Sequence, residues 1–342
     1  KAREWFEKAA AQDFAEAQNN LGILYNNGLG VAQDFVTARK WYEKAAAQGF
    51  GTAQYNLGAL YESGRGVPQD YDRAREWYEK AAVQDVAQAQ HNLGVLYSRG
   101  QGVPQDYTQA IAWYEKAAAL GYADSQYNLG VSYAKGQGVV QDYEKARTWY
   151  EKAAVQGIAQ AQYHLANLYA YDLDTAPDYI QARKWWEKAA LQGYADAQYN
   201  LGVIYSAGRS VPQDYGKARM WWEQAAAQGD SKAQYNLGAF YYKGQGVVQD
   251  YDKARAWFEK SAAQGDAAAQ YNLGVLYAEG QGVARDYGQA RQWWEKAAAQ
   301  GDANAQNNLG ALYLNGDGVP QDIGKAREWF EKAAAQDFAE AQ

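Results

Sequence analysis

The chain repeats itself every 36 residues. Lys1–Gln18 (KAREWFEKAAAQDFAEAQ) returns unchanged as Lys325–Gln342, an offset of 324 residues or nine periods. A fixed period of this length marks a stack of supersecondary units, each burying its apolar face only against its neighbours. It therefore lifts the need for one large core in a chain of 342 residues. A frame set at Ala15 divides the chain into nine units, 15–50, 51–86, 87–122, 123–158, 159–194, 195–230, 231–266, 267–302 and 303–338, with no insertion in any. Residues 1–14 form a half repeat carrying a second helix only, and 339–342 open a tenth.

Within 15–50, Ala17, Leu21, Leu24 and Tyr25 fall at i, i+4, i+7 and i+8 and predict a first helix, A. Gly28 and Gly30 break it. Asp34 stands where a carboxylate can accept an orphan amide of the next helix. Helix B follows through Phe35, Ala38, Trp41, Tyr42, Ala45 and Ala46, and Gln48-Gly49 ends it. Four units place a proline just before the cap (Pro68, Pro104, Pro212, Pro320), where a missing amide costs nothing.

Large residues face small ones. Tryptophan holds one helix B position in all ten copies, from Trp5 and Trp41 to Trp329, and Trp186, Trp222 and Trp294 take the next position. Helix A carries an internal glycine in eight of nine units, Gly202 among them. Each such glycine costs helix stability of about 1 kcal/mol. A buried aromatic ring of roughly 200 Å², at about 25 cal/mol per Å², offsets that several-fold. Both tryptophan rows are thus expected in the core, with helix A giving up a side chain so that a ring or a neighbouring backbone can approach.

Composition narrows the function. The net charge of −7 is spread along the chain, which weakens any case for nucleic acid. No window reaches the roughly 18 apolar residues of a membrane span. The absence of cysteine excludes disulfides, thiolate catalysis and zinc–thiolate sites. With Lys1 first and Met220 the one methionine, the chain is expected to be a fragment, a processed product or a window of something longer, and no compartment follows.

The pattern A-x-A-Q-x-N-L-G-x-x-Y, then G-x-G-V-x-Q-D-Y, then A-x-x-W-Y-E-K-A-A-x-Q-G resembles the Sel-one-like repeat family, a relative of the tetratricopeptide repeats. Residues 195–230 carry it as ADAQYNLGVIYSAGRSVPQDYGKARMWWEQAAAQGD, and it spans essentially the whole chain. The resemblance implies an all-α fold, a right-handed α-solenoid of helix-turn-helix repeats with the A helices lining its concave side. It also implies adaptors that hold proteins together, many of them bacterial. Some secreted members carry paired cysteines in each repeat, and this chain departs from them.

On a helical wheel, the face of helix A opposite its core stripe carries Glu16, Asn19, Ile23 and Asn26. The positions aligned with Asn19 are Tyr55, His91, Tyr127, Tyr163, Tyr199, Tyr235, Tyr271 and Asn307. They match the concave ligand-contacting positions of the related repeats, so the resemblance implies a partner-binding groove lined by Tyr55, His91, Tyr127, Tyr163, Tyr199, Tyr235 and Tyr271. Tyrosine supplies contact area and a hydroxyl at low entropic cost. The competing reading, in which these rings pack on one another and simply close the surface, stays open.

The fifth unit departs from the pattern at His164 and Ala166, and its loop holds Asp172, Asp174 and Asp178. Three carboxylates could hold a hard cation, but the spacing lacks the glycine and the twelfth-position glutamate of a calcium loop. A degenerate loop, with Asp178 as helix cap, is the expectation. No nucleophile–base arrangement, phosphate-cradling motif or zinc spacing is present, and no cofactor or metal is expected.

These observations predict a non-enzymatic protein-interaction scaffold whose partners are proteins or peptides. The alternative starts from the matching ends. Residues 253–270 differ from 1–18 at five positions, so identity of the first and last eighteen needs its own cause. A duplicated block is one. Another is a chain whose further copies continue it head-to-tail, with Trp5 and Phe6 uncovered, as a filament or tube.

Overall fold

The computed structural model describes residues 2–171 and 176–340, with side chains over 3–171 and 176–336. Its described residues form nineteen helices and no strand. The first are α1 (Ala2–Ala10), α2 (Ala15–Asn27), α3 (Phe35–Ala47), α4 (Gly51–Ser63), α5 (Tyr71–Ala82), α6 (Ala87–Arg99), α7 (Tyr107–Ala119), α8 (Ala123–Lys135) and α9 (Tyr143–Val155). There follow α10 (Ala159–Tyr171), α11 (Tyr179–Leu191), α12 (Ala195–Ala207), α13 (Tyr215–Ala227), α14 (Ser231–Lys243), α15 (Tyr251–Ala263), α16 (Ala267–Glu279), α17 (Tyr287–Ala299), α18 (Ala303–Asn315) and α19 (Ile323–Glu340). The chain divides into two compact units, 1–168 and 169–342. Each is an all-α solenoid in which every hairpin packs on the next.

Local chemistry sets the helix ends. The Asp34 carboxylate accepts from the amides of Val36 and Thr37, both at 3.0 Å, and the matching aspartates cap the later B helices, Asp178 included. The other two acids of that loop, Asp172 and Asp174, lie outside the described residues. Eight A helices end on a left-handed glycine with φ between 66° and 77°, such as Gly28 and Gly316. The connection is then pinned twice: Asp34 N–H donates to Tyr25 O at 2.9 Å and Gln33 Nε2 donates to Asn26 O at 2.8 Å, and the pattern recurs along the chain. The Q-D pair of the motif thus satisfies carbonyls that a helix C-terminus leaves open.

The core is built of leucine and alanine from both helices and one aromatic row. Leu21, Leu93, Leu129, Leu165, Leu201, Leu237, Leu273 and Leu309 are sealed from solvent. Full burial of each contributes about 1.5–3 kcal/mol. The aromatic row differs from the expectation. The ring against each helix A glycine belongs to the residue after the repeated tryptophan: Tyr42, Tyr78, Tyr114, Tyr150, Trp222, Phe258, Trp294 and Phe330. A Cβ on Gly202 would lie 2.2 Å from Trp222 Nε1, and one on Gly22 would lie 2.4 Å from Tyr42 Cε1. Trp186, Trp222 and Trp294 are accordingly buried.

The row running from Trp41 to Trp329 is half-buried instead. A lysine three residues on lies over most of these rings, as Lys116 does over Trp113 at 3.9 Å from its centroid and Lys296 over Trp293 at 3.9 Å. Where the lysine is present, one face of the indole packs toward the core and the other carries a cation. At the first helix Trp5 is 69% exposed, whereas Phe6 packs with Ala10, Ala17 and Leu21.

A second row was hidden in the repeat. Gln18, Gln54, Gln90, Gln126, Gln162, Gln198, Gln234, Gln270 and Gln306 are all buried. Each donates to the carbonyl of an alanine eight residues earlier, as Gln90 Nε2 does to Ala82 O at 3.0 Å. In most units its oxygen accepts from a glutamine thirty residues on, as Gln54 Oε1 does from Gln84 Nε2 at 2.8 Å. The side chain thus fastens the end of one B helix to the end of the next through the A helix between them.

Candidate functional site: the aromatic row of the A helices

Tyr55, His91, Tyr127, Tyr163, Tyr199, Tyr235 and Tyr271 are each half-buried on an A helix. Four of these rings lie against the buried ring of the same hairpin. Tyr55 lies 5.8 Å from Tyr78, His91 5.7 Å from Tyr114, Tyr127 5.9 Å from Tyr150 and Tyr235 5.8 Å from Phe258, centroid to centroid. The ring row is therefore a second aromatic layer, outside the one that fills the glycine notch. Burial raises the hydroxyl pKa of Tyr55, Tyr127, Tyr199 and Tyr235, so these groups stay protonated near neutral pH.

The row also reaches forward to the next hairpin. Asn56 Nδ2 donates to Asn19 Oδ1 at 2.9 Å, and His91 Nδ1 lies 2.9 Å from Ser125 Oγ. The rings of Tyr127 and His164 stack 5.9 Å apart. Rings, hydroxyls and carboxamides thus alternate along each unit, with part of their hydrogen-bonding capacity already used between hairpins. His91 is further enclosed by Tyr122, at 5.1 Å, and burial lowers its pKa.

The asparagine row that completes this surface was visible as the N of the N-L-G motif, and its partners were not. In one place it joins a small network: Tyr78 Oη donates to Glu62 Oε2 at 2.5 Å, and Asn92 Nδ2 donates to Tyr78 Oη at 2.9 Å. Between the A helices of adjacent hairpins, beside the ring row, lie clefts of about 160 Å³. One is lined by residues of α6 to α8 and the loop after α8, another by residues of α16 to α18 and the loop after α18. Among the described residues no group of three or more His, Cys, Asp or Glu side chains could hold a metal ion, and no helix is long and apolar enough to cross a membrane.

On the opposite side, arginine–glutamate pairs four residues apart run along the B helices, such as Arg39–Glu43 at 2.8 Å and Arg255–Glu259 at 2.7 Å. Pairs of this kind are worth little in water. They decorate the surface rather than define a site.

Known proteins place this arrangement. The Sel1 repeat model matches ten stretches: 1–14, 15–50, 51–85, 87–122, 123–158, 159–194, 195–230, 231–266, 267–302 and 303–338. The chain is similar to c5321, a protective antigen of uropathogenic Escherichia coli strains displaying an SLR fold. The two are 40% identical over 98% of this chain and 72% of that one, with a TM-score of 0.88. It is also similar to a Sel1 repeat protein from Oxalobacter formigenes, 36% identical over 90% of this chain and 89% of that one, with a TM-score of 0.67. A comparison with curated proteins finds no match. Sel1 repeats typically serve as protein-interaction scaffolds, and by the repeat matches along its length this chain belongs to the Sel1 repeat family.

Proposed function

We propose that the protein is a non-enzymatic scaffold that holds a protein or peptide partner against its A helices, on the row Tyr55, His91, Tyr127, Tyr163, Tyr199, Tyr235 and Tyr271. The observation that carries this reading is the second aromatic layer. Its rings are held by the layer beneath, so they present area and hydroxyls with little ordering left to do on binding. The carboxamides between them suit the main chain of an extended segment, which offers one donor and one acceptor per residue.

Capture of partners from a lysate of the source organism, by wild type and by the Tyr127/Tyr199/Tyr235→Ala variant, tests it. Loss of an aromatic anchor costs about 2 kcal/mol or more where it is a hot spot, so the triple variant is expected to lose its partners altogether. Unchanged capture by a variant with wild-type helicity would refute the proposal. Growth of the pure protein into fibres under negative-stain microscopy would favour the end-to-end alternative instead.

A further inference from the structure

The inference here rests on the scaffold reading and gives it a chemistry. The cleft flanked by α16, α17 and α18 has about 160 Å³ of room. That is the volume of about five water molecules at roughly 30 Å³ each, a space one long side chain fills. Its walls include Val275, Trp294, Ala311 and Leu312, and Glu279 and Asp317 also line it. The Trp294 Nε1–H is already spent on Tyr271 O at 3.2 Å, so the indole offers the cleft an apolar surface. Glu279 is exposed and Asp317 half-buried. Asp317 accepts from Asn315 Nδ2 at 3.3 Å. No lysine or arginine lines the cleft, and the ion pairs among the described residues include neither carboxylate.

The corresponding cleft between α6–α7 and α8–α9 has the same volume and a lining without a charged side chain. Ser98 stands where Ala278 does, and Gln137 where Asp317 does. Arg99 stands in sequence where Glu279 does, and it does not line this cleft. One backbone notch has thus been given two different linings.

We propose that the α16–α18 cleft receives a lysine or arginine side chain of the bound partner. A long basic side chain lays its methylene stem along apolar surface and keeps its charged head among carboxylates and water. The indole face adds attraction for a cation. A partner carboxylate would meet two like charges. A purely aliphatic side chain would use the walls and leave both acids indifferent to it.

The test is selection of a phage-displayed random dodecapeptide library on the whole protein, followed by binding of the recovered peptides to Glu279→Lys/Asp317→Lys and to the Tyr127/Tyr199/Tyr235→Ala variant. Thermal melts establish that the surface reversal still folds. The expected peptides share a lysine or arginine whose change to methionine weakens binding about tenfold, and the charge reversal weakens them at least as much. Peptides that need the tyrosines but ignore the reversal, or that carry no basic residue, overturn the cation cleft and leave the scaffold reading standing. A selection that returns no peptide dependent on the tyrosines overturns both.

Discussion

The buried glutamine row has one broken rung, and mending it should stabilise the protein. Gln54, Gln126, Gln198, Gln234, Gln270 and Gln306 each accept at Oε1 from a glutamine thirty residues on, at 2.8–2.9 Å. For Gln90 that position is Leu120, and Gln90 Oε1 is buried with no hydrogen-bond partner. A buried acceptor left in this state costs about 1–3 kcal/mol. Leu120 is 49% exposed, so replacing it gives up about half of a leucine's burial, or about 1 kcal/mol. Leu120→Gln is therefore expected to gain about 1 kcal/mol net. For a unit the size of residues 1–168 that is a rise in Tm of about 2–4 °C. Because solenoid stability is a sum over neighbouring repeats, slower amide exchange should be confined to α6–α7 and the helices beside them. The reverse change at an intact rung, Gln84→Leu, orphans Gln54 Oε1 and should cost about 1–3 kcal/mol. Urea denaturation in a double-mutant cycle decides the matter. If Leu120→Gln stabilises the Gln90→Met background as much as wild type, the rung is not the cause.

Three further outcomes follow from the same geometry. Gly202→Ala improves helix propensity yet drives a Cβ into Trp222, so it should lose about 1–3 kcal/mol, and Gly202→Leu more, whereas exposed Lys217→Ala should stay near zero; equal melting temperatures would contradict the notch. Asp85 occupies a left-handed conformation, φ 58°, where the turn before α8 has Gly121, so Asp85→Gly should gain about 0.5–1 kcal/mol in urea denaturation. His91 is held neutral by burial, its pKa below the ordinary 6.5. The unfolded chain therefore takes up that proton first, and stability should fall as pH drops from 6.5 toward the folded pKa. His91→Tyr should remove that part of the slope, and an NMR titration placing the His91 pKa at or above 6.5 would refute the assignment.

The architecture was legible because it is written in period. Glycine after eight of the nine A helices, aspartate before the B helix of every unit and leucine at one place on the wheel all act locally, and the structure uses them as read. What was misread is the pair of adjacent aromatic positions. Trp41 and Tyr42 differ by one step of about 100° on a helix, and both fall within an apolar stripe. Which of the two points into the glycine of the facing helix depends on how the helices cross, which is a tertiary quantity. The constancy of the tryptophan suggested burial, but its constant companion Lys44 lies over it at 4.4 Å. The glutamines escaped for a related reason: a carboxamide reads as polar surface until a partner thirty residues away is known. The clefts likewise need two hairpins before they exist.

One stretch shows how far local reading can go. The described residues of the two copies differ at one place. In the first copy α1 stops at Ala10, Asp13 turns left-handed at φ 62° and α2 begins at Ala15. In the second copy the same letters run without a break in α19, through Glu340. Without glycine at the turn, the left-handed residue carries a steric cost that uninterrupted helix does not. In the first copy the turn is accompanied by contacts that lie beyond the eighteen residues. In the first copy Leu21, beyond the shared segment, packs with Ala10 and Ala17 beneath Trp41, and Gln48 donates to Gln18 at 2.8 Å. In the first copy the turn at Asp13 is thus held on both sides by the packing of one hairpin on the next. On this account Asp13→Gly should protect the 11–14 amides against exchange, because it favours the turn before any neighbour arrives.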